Sequence, residues 1–189
     1  MSYQRHPPPG HGGYPAMSPQ EAQLLNFFRA VDTDRSGTIN AEELQRCLTN
    51  GGWANRPFAM STINLLINLF DVDNNGTIDF QKFKGIWSYI GQWVNVFRQF
   101  DRDQSGSIDI HELRTALRQF GYALSDQMVS ILLRKYSVPD QTGIAFDHFI
   151  ELCATLQSLT NAFRRYDINQ NGWATMQYEQ FLGAVFSIR

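Results

Sequence analysis

Residues 32–43 read DTDRSGTINAEE and residues 101–112 read DRDQSGSIDIHE. Both place oxygen-bearing residues at alternate positions, a glycine at position six, an isoleucine at eight and a glutamate at twelve. A hard divalent cation of calcium's size wants six to eight oxygens, and alternate residues of a tightly wound loop point toward one centre. The glycine permits the sharp turn without a Cβ penalty. The glutamate, on the exiting helix, supplies two oxygens from one side chain. Three further windows follow the same layout with defects: 71–82 (DVDNNGTIDFQK), 137–148 (SVPDQTGIAFDH) and 167–178 (DINQNGWATMQY).

The layout is that of an EF-hand calcium loop. In the first loop the expected ligands are Asp32, Asp34, Ser36, the Thr38 carbonyl, Asn40 through water, and Glu43, with Gly37 at the turn. In the third they are Asp101, Asp103, Ser105, the Ser107 carbonyl, Asp109 and Glu112 around Gly106. Ser36 and Ser105 stand where Asp or Asn is usual, and a hydroxyl supplies the single oxygen needed there. Charge alone favours the third loop, with four ligand carboxylates against three. Two Ca2+ ions per chain are expected, in the first and third hands.

The other loops are weaker. The second has Asp71, Asp73, Asn75, the Thr77 carbonyl and Asp79, but ends in Lys82, whose ammonium donates and cannot ligate. It is expected to be empty, or to hold a partly hydrated ion. The fifth offers Asp167, Asn169, Asn171 and the Trp173 carbonyl, and ends in Tyr178. Such sites admit metal, Mg2+ included, only at high concentration. The fourth has Ser137, Pro139, Gln141, Thr142 and His148 at ligand or turn positions and is expected to serve as scaffold.

Loop starts at 32, 71, 101, 137 and 167 leave intervals of 39, 30, 36 and 30 residues. The long intervals hold linkers, from Gly51-Gly52 to Pro57 and from Phe120 to Ser125. The short ones leave 18 residues, at 83–100 and 149–166, and each predicts one shared helix of about 27 Å. Phe83, Ile86, Trp87, Ile90, Trp93, Val94, Phe97 and Phe100 give the first of these an unbroken apolar face. The prediction is an all-α fold of about eight helices: five EF-hands with shared long helices and short β pairings near Ile39/Ile78 and Ile108/Ile144. Residues 20–189 are expected to form a single domain. Residues 1–19 hold five of the seven prolines and are expected to be a flexible Gly/Pro-rich arm. The arm ends at a helix start, with Ser18 as cap, Pro19 in the first turn and Glu21 closing a capping box.

Five hands leave one without a partner, and the C-terminal run is apolar (Phe181, Leu182, Val185, Phe186, Ile188). Pairing of two fifth hands across a two-fold axis would cover it, so a homodimer is expected.

Composition narrows the classes further. The formal net charge of −2 argues against a nucleic-acid binder. Two calcium ions would carry it only to +2, a weak driver of attraction to anionic membranes. No apolar run reaches the length of a membrane span, and the first twenty residues lack an apolar signal segment. Cys47 and Cys153 form no CxxC unit and are expected to be inert intracellular thiols. His6, His11, His111 and His148 belong to no catalytic motif, so an enzyme is not expected.

Beyond the calcium loops, FKGIWSYIGQWVNVFRQFDRDQSG (83–106), RQFGYALSDQ (118–127), GIAFDHFI (143–150), FRRYDINQNGW (163–173) and YEQFLGAVFSI (178–188) resemble the penta-EF-hand family. The resemblance covers about residues 20–189. It implies a calcium-responsive dimer of cytoplasm and nucleus, or a heterodimer with another family member. It also implies calcium-dependent recruitment to endoplasmic-reticulum exit sites and endosomes. The implied partners are Pro-rich segments of trafficking and endosomal-sorting proteins, and annexins, with membrane attachment only peripheral. Family calcium sites are the first and third hands, and weakly the fifth. The family's peptide pocket maps onto Trp87, Ile90, Trp93, Phe120 and Tyr178. One departure is Ala123, where the matching subgroup has an arginine linked to pocket opening. A calcium-sensing adaptor is the leading expectation. A cytosolic calcium buffer and the regulatory small subunit of a calcium-dependent protease are the alternatives.

Overall fold

Helix formation begins at the predicted cap. Ser18 Oγ accepts the Glu21 N–H at 3.1 Å, and Pro19 opens α1 (Pro19–Val31). Glu21 was expected to close a capping box; its carboxylate instead accepts from Lys84 Nζ at 2.6 Å, because the fourth helix passes alongside the first. The computed structural model describes residues 18–53, 56–137 and 143–186. The expected arm up to residue 17, Pro139, Gln141 and Thr142 of the fourth loop, and Ile188 lie outside them.

Seven more helices follow among the described residues: α2 (Ala41–Asn50), α3 (Met60–Phe70), α4 (Phe80–Phe100), α5 (Ile110–Gln119), α6 (Asp126–Tyr136), α7 (Phe146–Arg164) and α8 (Tyr178–Phe186). The two shared helices are α4 and α7. Each starts three residues earlier than its spacing predicts, inside the preceding loop, and α7 stops two residues early. No helix among the described residues is long and apolar enough to cross a membrane.

Loop ends follow one rule. Asp32, Asp71 and Asp101, at position one, each donate a backbone N–H to the carbonyl four residues back and so close the entering helix. Asn40, Asp79 and Asp109, at position nine, cap the exiting helix with a side-chain oxygen. Position eight carries the pairing. Ile39 and Ile78 form an antiparallel bridge, with N–H to carbonyl distances of 2.8 and 3.0 Å. Strands β1 (Ser107–Ile108) and β2 (Ile144–Ala145) pair antiparallel in the register Ser107↔Ala145, Ile108↔Ile144. All four isoleucines are fully buried, so each pairing is sealed from water by side chains worth ~1.5–3 kcal/mol apiece. Gly143 makes the second pairing possible: a Cβ there would stand 2.7 Å from the Ile108 carbonyl oxygen.

One hydrophobic core runs through the hands, with Phe83, Ile86, Ile90, Val94, Phe97 and Phe100 of α4 along it. The linker after α2 is pinned to the start of α7. Asp147, fully buried, accepts from Arg56 Nη2 at 2.6 Å and from the Ala59 N–H at 2.9 Å, and Phe58 meets Phe146 edge-on. Helix α8 is different: none of its residues is buried.

Candidate calcium sites

In the first loop Asp32 Oδ1 accepts the Ser36 N–H and Oδ2 the Gly37 N–H, both at 2.9 Å. Asp34 Oδ1 also accepts from Ser36 N at 2.9 Å. These bonds wrap the chain tightly, with Arg35 (φ 57°) and Gly37 (φ 80°) both left-handed at the turn. Glu43, almost wholly buried, reaches back across the loop. Its Oε1 takes the Thr33 N–H at 2.9 Å and the Thr33 hydroxyl at 2.7 Å, and its Oε2 takes the Asn40 N–H at 3.2 Å. Carboxylate oxygens of Asp32, Asp34 and Glu43 thus lie within 4.8 Å of one another.

The third loop repeats the design. Asp101 Oδ2 accepts from Gly106 N at 3.0 Å, Asp103 Oδ1 from Ser105 N at 3.0 Å, and Glu112 from Arg102 N and Asp109 N at 2.8 and 3.0 Å. Asp101, Asp103 and Glu112 also gather within 4.8 Å. Ser36 and Ser105 turn their hydroxyls toward the carbonyls of Thr38 (3.0 Å) and Ser107 (2.9 Å), the two expected backbone ligands. Asp109 is not among the gathered carboxylates of the third loop, where its Oδ1 caps α5, and Asn40 Oδ1 caps α2 in the same way. The charge advantage expected for the third loop is therefore absent from the gathered set: three carboxylates converge in each.

Like charges so close should disfavour ionisation, yet local donors prevail. The Ser36 hydroxyl and N–H lower the Asp34 carboxyl, and the Ser105 N–H and hydroxyl lower Asp103. Burial pushes Glu43 up, but the Thr33 donors and the Asn40 N–H outweigh it and hold the carboxyl below its ordinary value. The gathered donors are oxygen-only, the set that suits calcium.

In the second loop Lys82 does more than leave the twelfth position without a ligand. Lys82 Nζ lies among the oxygens that should have faced a metal: Asp71 Oδ1 at 2.8 Å, Asp73 Oδ1, the Thr77 carbonyl at 3.0 Å and Asn75 Oδ1 at 3.4 Å. Asp79, the fifth residue expected there, caps α4. The Lys82 ammonium beside Asp71 holds that carboxyl far below the usual carboxylate range. The clue in the sequence was an otherwise intact loop whose last residue is a long cation. In the fifth loop Asp167 accepts from Asn171 N and Gly172 N as Asp32 does from Ser36 N and Gly37 N in the first, and Asn171 Oδ1 accepts from Trp173 N. Asn169 and Trp173 are exposed there, and no gathered acidic set forms among the described residues. In the fourth window His148 Nδ1 lies 2.8 Å from the Tyr136 carbonyl oxygen, linking the first turn of α7 to the end of α6.

The residues matched to a peptide pocket sit in different packing environments among the described residues. Trp87 packs edge-on against Phe27 and Trp53, with ring centroids 5.1 Å apart in each case, beside a recess between α1 and α4. Trp93 meets Phe120 and Phe149 at 6.2 and 5.9 Å. Ile90 is fully buried and offers no surface, and Tyr178 is exposed at the start of α8. The reason is angular: six residues of α-helix place Trp87 and Trp93 about 120° apart around the axis of α4. Ala123, where the matching subgroup carries an arginine, is exposed in the linker.

The fold and these loops define a calcium-binding protein built of paired helix–loop–helix hands. The model of an EF-hand domain pair matches residues 21–88, and that of an EF-hand domain matches residues 92–121. Sorcin from Homo sapiens is 38% identical over 201 aligned residues, covering 100% of both chains. Peflin from Xenopus laevis is 41% identical over 180 residues, which cover 91% of this chain and 63% of peflin; the chain thus spans under two thirds of that relative. A solved homologue of programmed cell death 6 protein from Leishmania major superimposes with a TM-score of 0.73 at 33% identity, covering 88% of this chain and 94% of the other. The chain belongs to the penta-EF-hand family.

Proposed function

We propose that the chain is a calcium sensor with five EF-hands in a single domain over residues 20–189, loading at the first and third hands. The observation that carries this reading is the convergence of three carboxylates in each of those two loops. Asp32, Asp34, Ser36, Thr38 and Glu43 would hold one ion, and Asp101, Asp103, Ser105, Ser107 and Glu112 the other, with Asn40 and Asp109 acting through water. Each ion would replace hydrogen bonds that now close its loop, and the helices flanking it would move.

Output would come from apolar surface. Trp173, Tyr178, Phe181 and Phe186 are exposed along the fifth loop and α8, a run that suits pairing with a second copy or with another family member. The half-buried Trp87 and the Trp93–Phe120 pair would receive Pro-rich segments once helices move, since rigid aromatics suit such peptides. Recruitment to trafficking and endosomal partners and to annexins, from a cytoplasmic and nuclear pool, follows from the family resemblance.

Calorimetric titration of the wild type, Glu43→Ala, Glu112→Ala and the double variant tests the sensor. Two, one, one and no ions are expected at tens of micromolar calcium, about the upper end of the sensor range. A double variant that still takes two ions rejects the assignment. Equal capture of the protein on a Pro-rich peptide with and without calcium rejects calcium control.

A further inference from the structure

Lys82 Nζ touches the oxygens of positions one, three, five and seven of the second loop, the set that a calcium ion would share. Three of these contacts fall within 3.0 Å, so an ion at that centre and the ammonium exclude each other. The lysine side chain is 11% exposed and Asp71 7%, which places the pair beneath the surface rather than on it. The tether is short: Lys82 N is itself fixed to the capping oxygen of Asp79 at 2.8 Å. A short tether gives effective concentrations of millimolar or more, against micromolar calcium in a cell.

We propose that the Lys82 ammonium is the resident cation of the second loop, standing in for metal at every calcium level. It holds Asp71, Asp73 and the Thr77 carbonyl in the arrangement of a loaded loop. Thr77 precedes Ile78, which bridges Ile39, and Ile39 follows the Thr38 carbonyl of the first loop. The first loop therefore meets a partner that is already set, and the N-terminal pair responds to a single ion. The inference rests on calcium loading of the first loop, as proposed above.

The experiment uses the full chain with calcium as the only added ligand. In the Glu43→Ala/Glu112→Ala background, Lys82→Glu should gain one ion at tens of micromolar, whereas intact Lys82 gains none; no gain overturns the proposal. In the otherwise wild-type chain, Lys82→Gln should weaken the first site at least fivefold, about the lower end of ordinary site–site coupling. Unchanged first-site affinity also overturns it. Should the Lys82→Glu chain fold only with calcium, that rescue is itself the gained ion; should it never fold, Lys82→Gln decides. Failure of the calcium assignment appears separately, as a wild type that takes up no ion.

Discussion

The fully buried Asp147 carboxylate accepts from the Arg56 guanidinium at 2.6 Å across 91 residues of sequence. Arg56 leaves the linker after the first hand, and Asp147 opens the helix shared by the fourth and fifth loops. The pair therefore locks the N-terminal hands to the C-terminal ones. Arg56→Met should destabilise the fold by about 3–5 kcal/mol, because it strands a buried charge with the Ala59 N–H at 2.9 Å and the His148 ring at 3.9 Å but no fixed cation. Arg56→Met combined with Asp147→Leu should recover most of that loss. Urea unfolding of the three chains measures both effects, and equal midpoints for wild type and Arg56→Met would refute the lock.

Much of this arrangement could be read from the chain. Spacing of the loop starts located α4 and α7, and position eight gave the two isoleucine pairings in their observed register. Local chemistry failed where a distant element intervened. Glu21 pairs with Lys84 of α4 instead of its own helix start, and no local rule joins Arg56 to Asp147. Lys82 was counted as a missing ligand, although four flexible carbons let it reach back to the loop centre. Trp87 and Trp93 mark the two edges of one apolar face of α4, with fully buried Ile90 midway between them, and they meet different neighbours. Periodicity along a helix reports that a residue is apolar, and only packing reports which neighbours cover it.

Asp109 tests the difference between a cap and a ligand. Its Oδ1 accepts from His111 N and Glu112 N at 2.7 and 2.8 Å, at the start of α5. Asp109→Ala should lower stability by about 1 kcal/mol, the usual loss for an N-cap. It should weaken the third calcium site far less than Glu112→Ala does. Thermal melts in chelator and calcium titrations of both variants separate the roles; equal loss of calcium affinity would make Asp109 a direct ligand.

Gly143 is the close approach that permits β1 and β2 to pair. Gly143→Ala would set a methyl 2.7 Å from the Ile108 carbonyl and 2.8 Å from Ser107 Oγ. Backbone cannot yield as a side-chain tip can, so the pairing should open and carry the Ser107 carbonyl away from the third site. Calcium uptake at the third loop should fall while the first loop is unaffected, and calorimetry resolves the two. An unchanged third site would show that the pairing does not shape it.

The two cysteines make a prediction about alkaline pH. Burial pushes both thiols up to about 12, from an ordinary value of 9.0. At pH 8 both should resist a thiol reagent in the native protein and react promptly in denaturant. The folded chain holds these protons more tightly than the unfolded one does. Their contribution to stability is therefore complete below about pH 9 and is lost as pH climbs from there toward 12. A melting temperature that is flat from pH 8 to pH 11 in the wild type would contradict this, and so would rapid native labelling. In a Cys47→Ala/Cys153→Ala chain the alkaline decline should be shallower.

Helix α8 carries the last prediction. It buries none of its own residues, yet Phe181 is 50% and Phe186 80% exposed, and Trp173 in the loop before it is 82% exposed. Water contact on so much aromatic surface is unfavourable by ~25 cal/mol per Å2, so a second copy laid on α8 would gain that energy without further refolding. The chain should sediment as a dimer of 21.7 kDa subunits, and Phe181→Asp with Phe186→Asp should convert it to monomer. Because α8 lies outside the main core, the double variant should keep its helix content and both calcium sites. A wild type that stays at one subunit mass from low to high micromolar concentration would leave this face to another partner. A double variant that loses calcium binding as well would show that α8 supports the hands rather than the contact between chains.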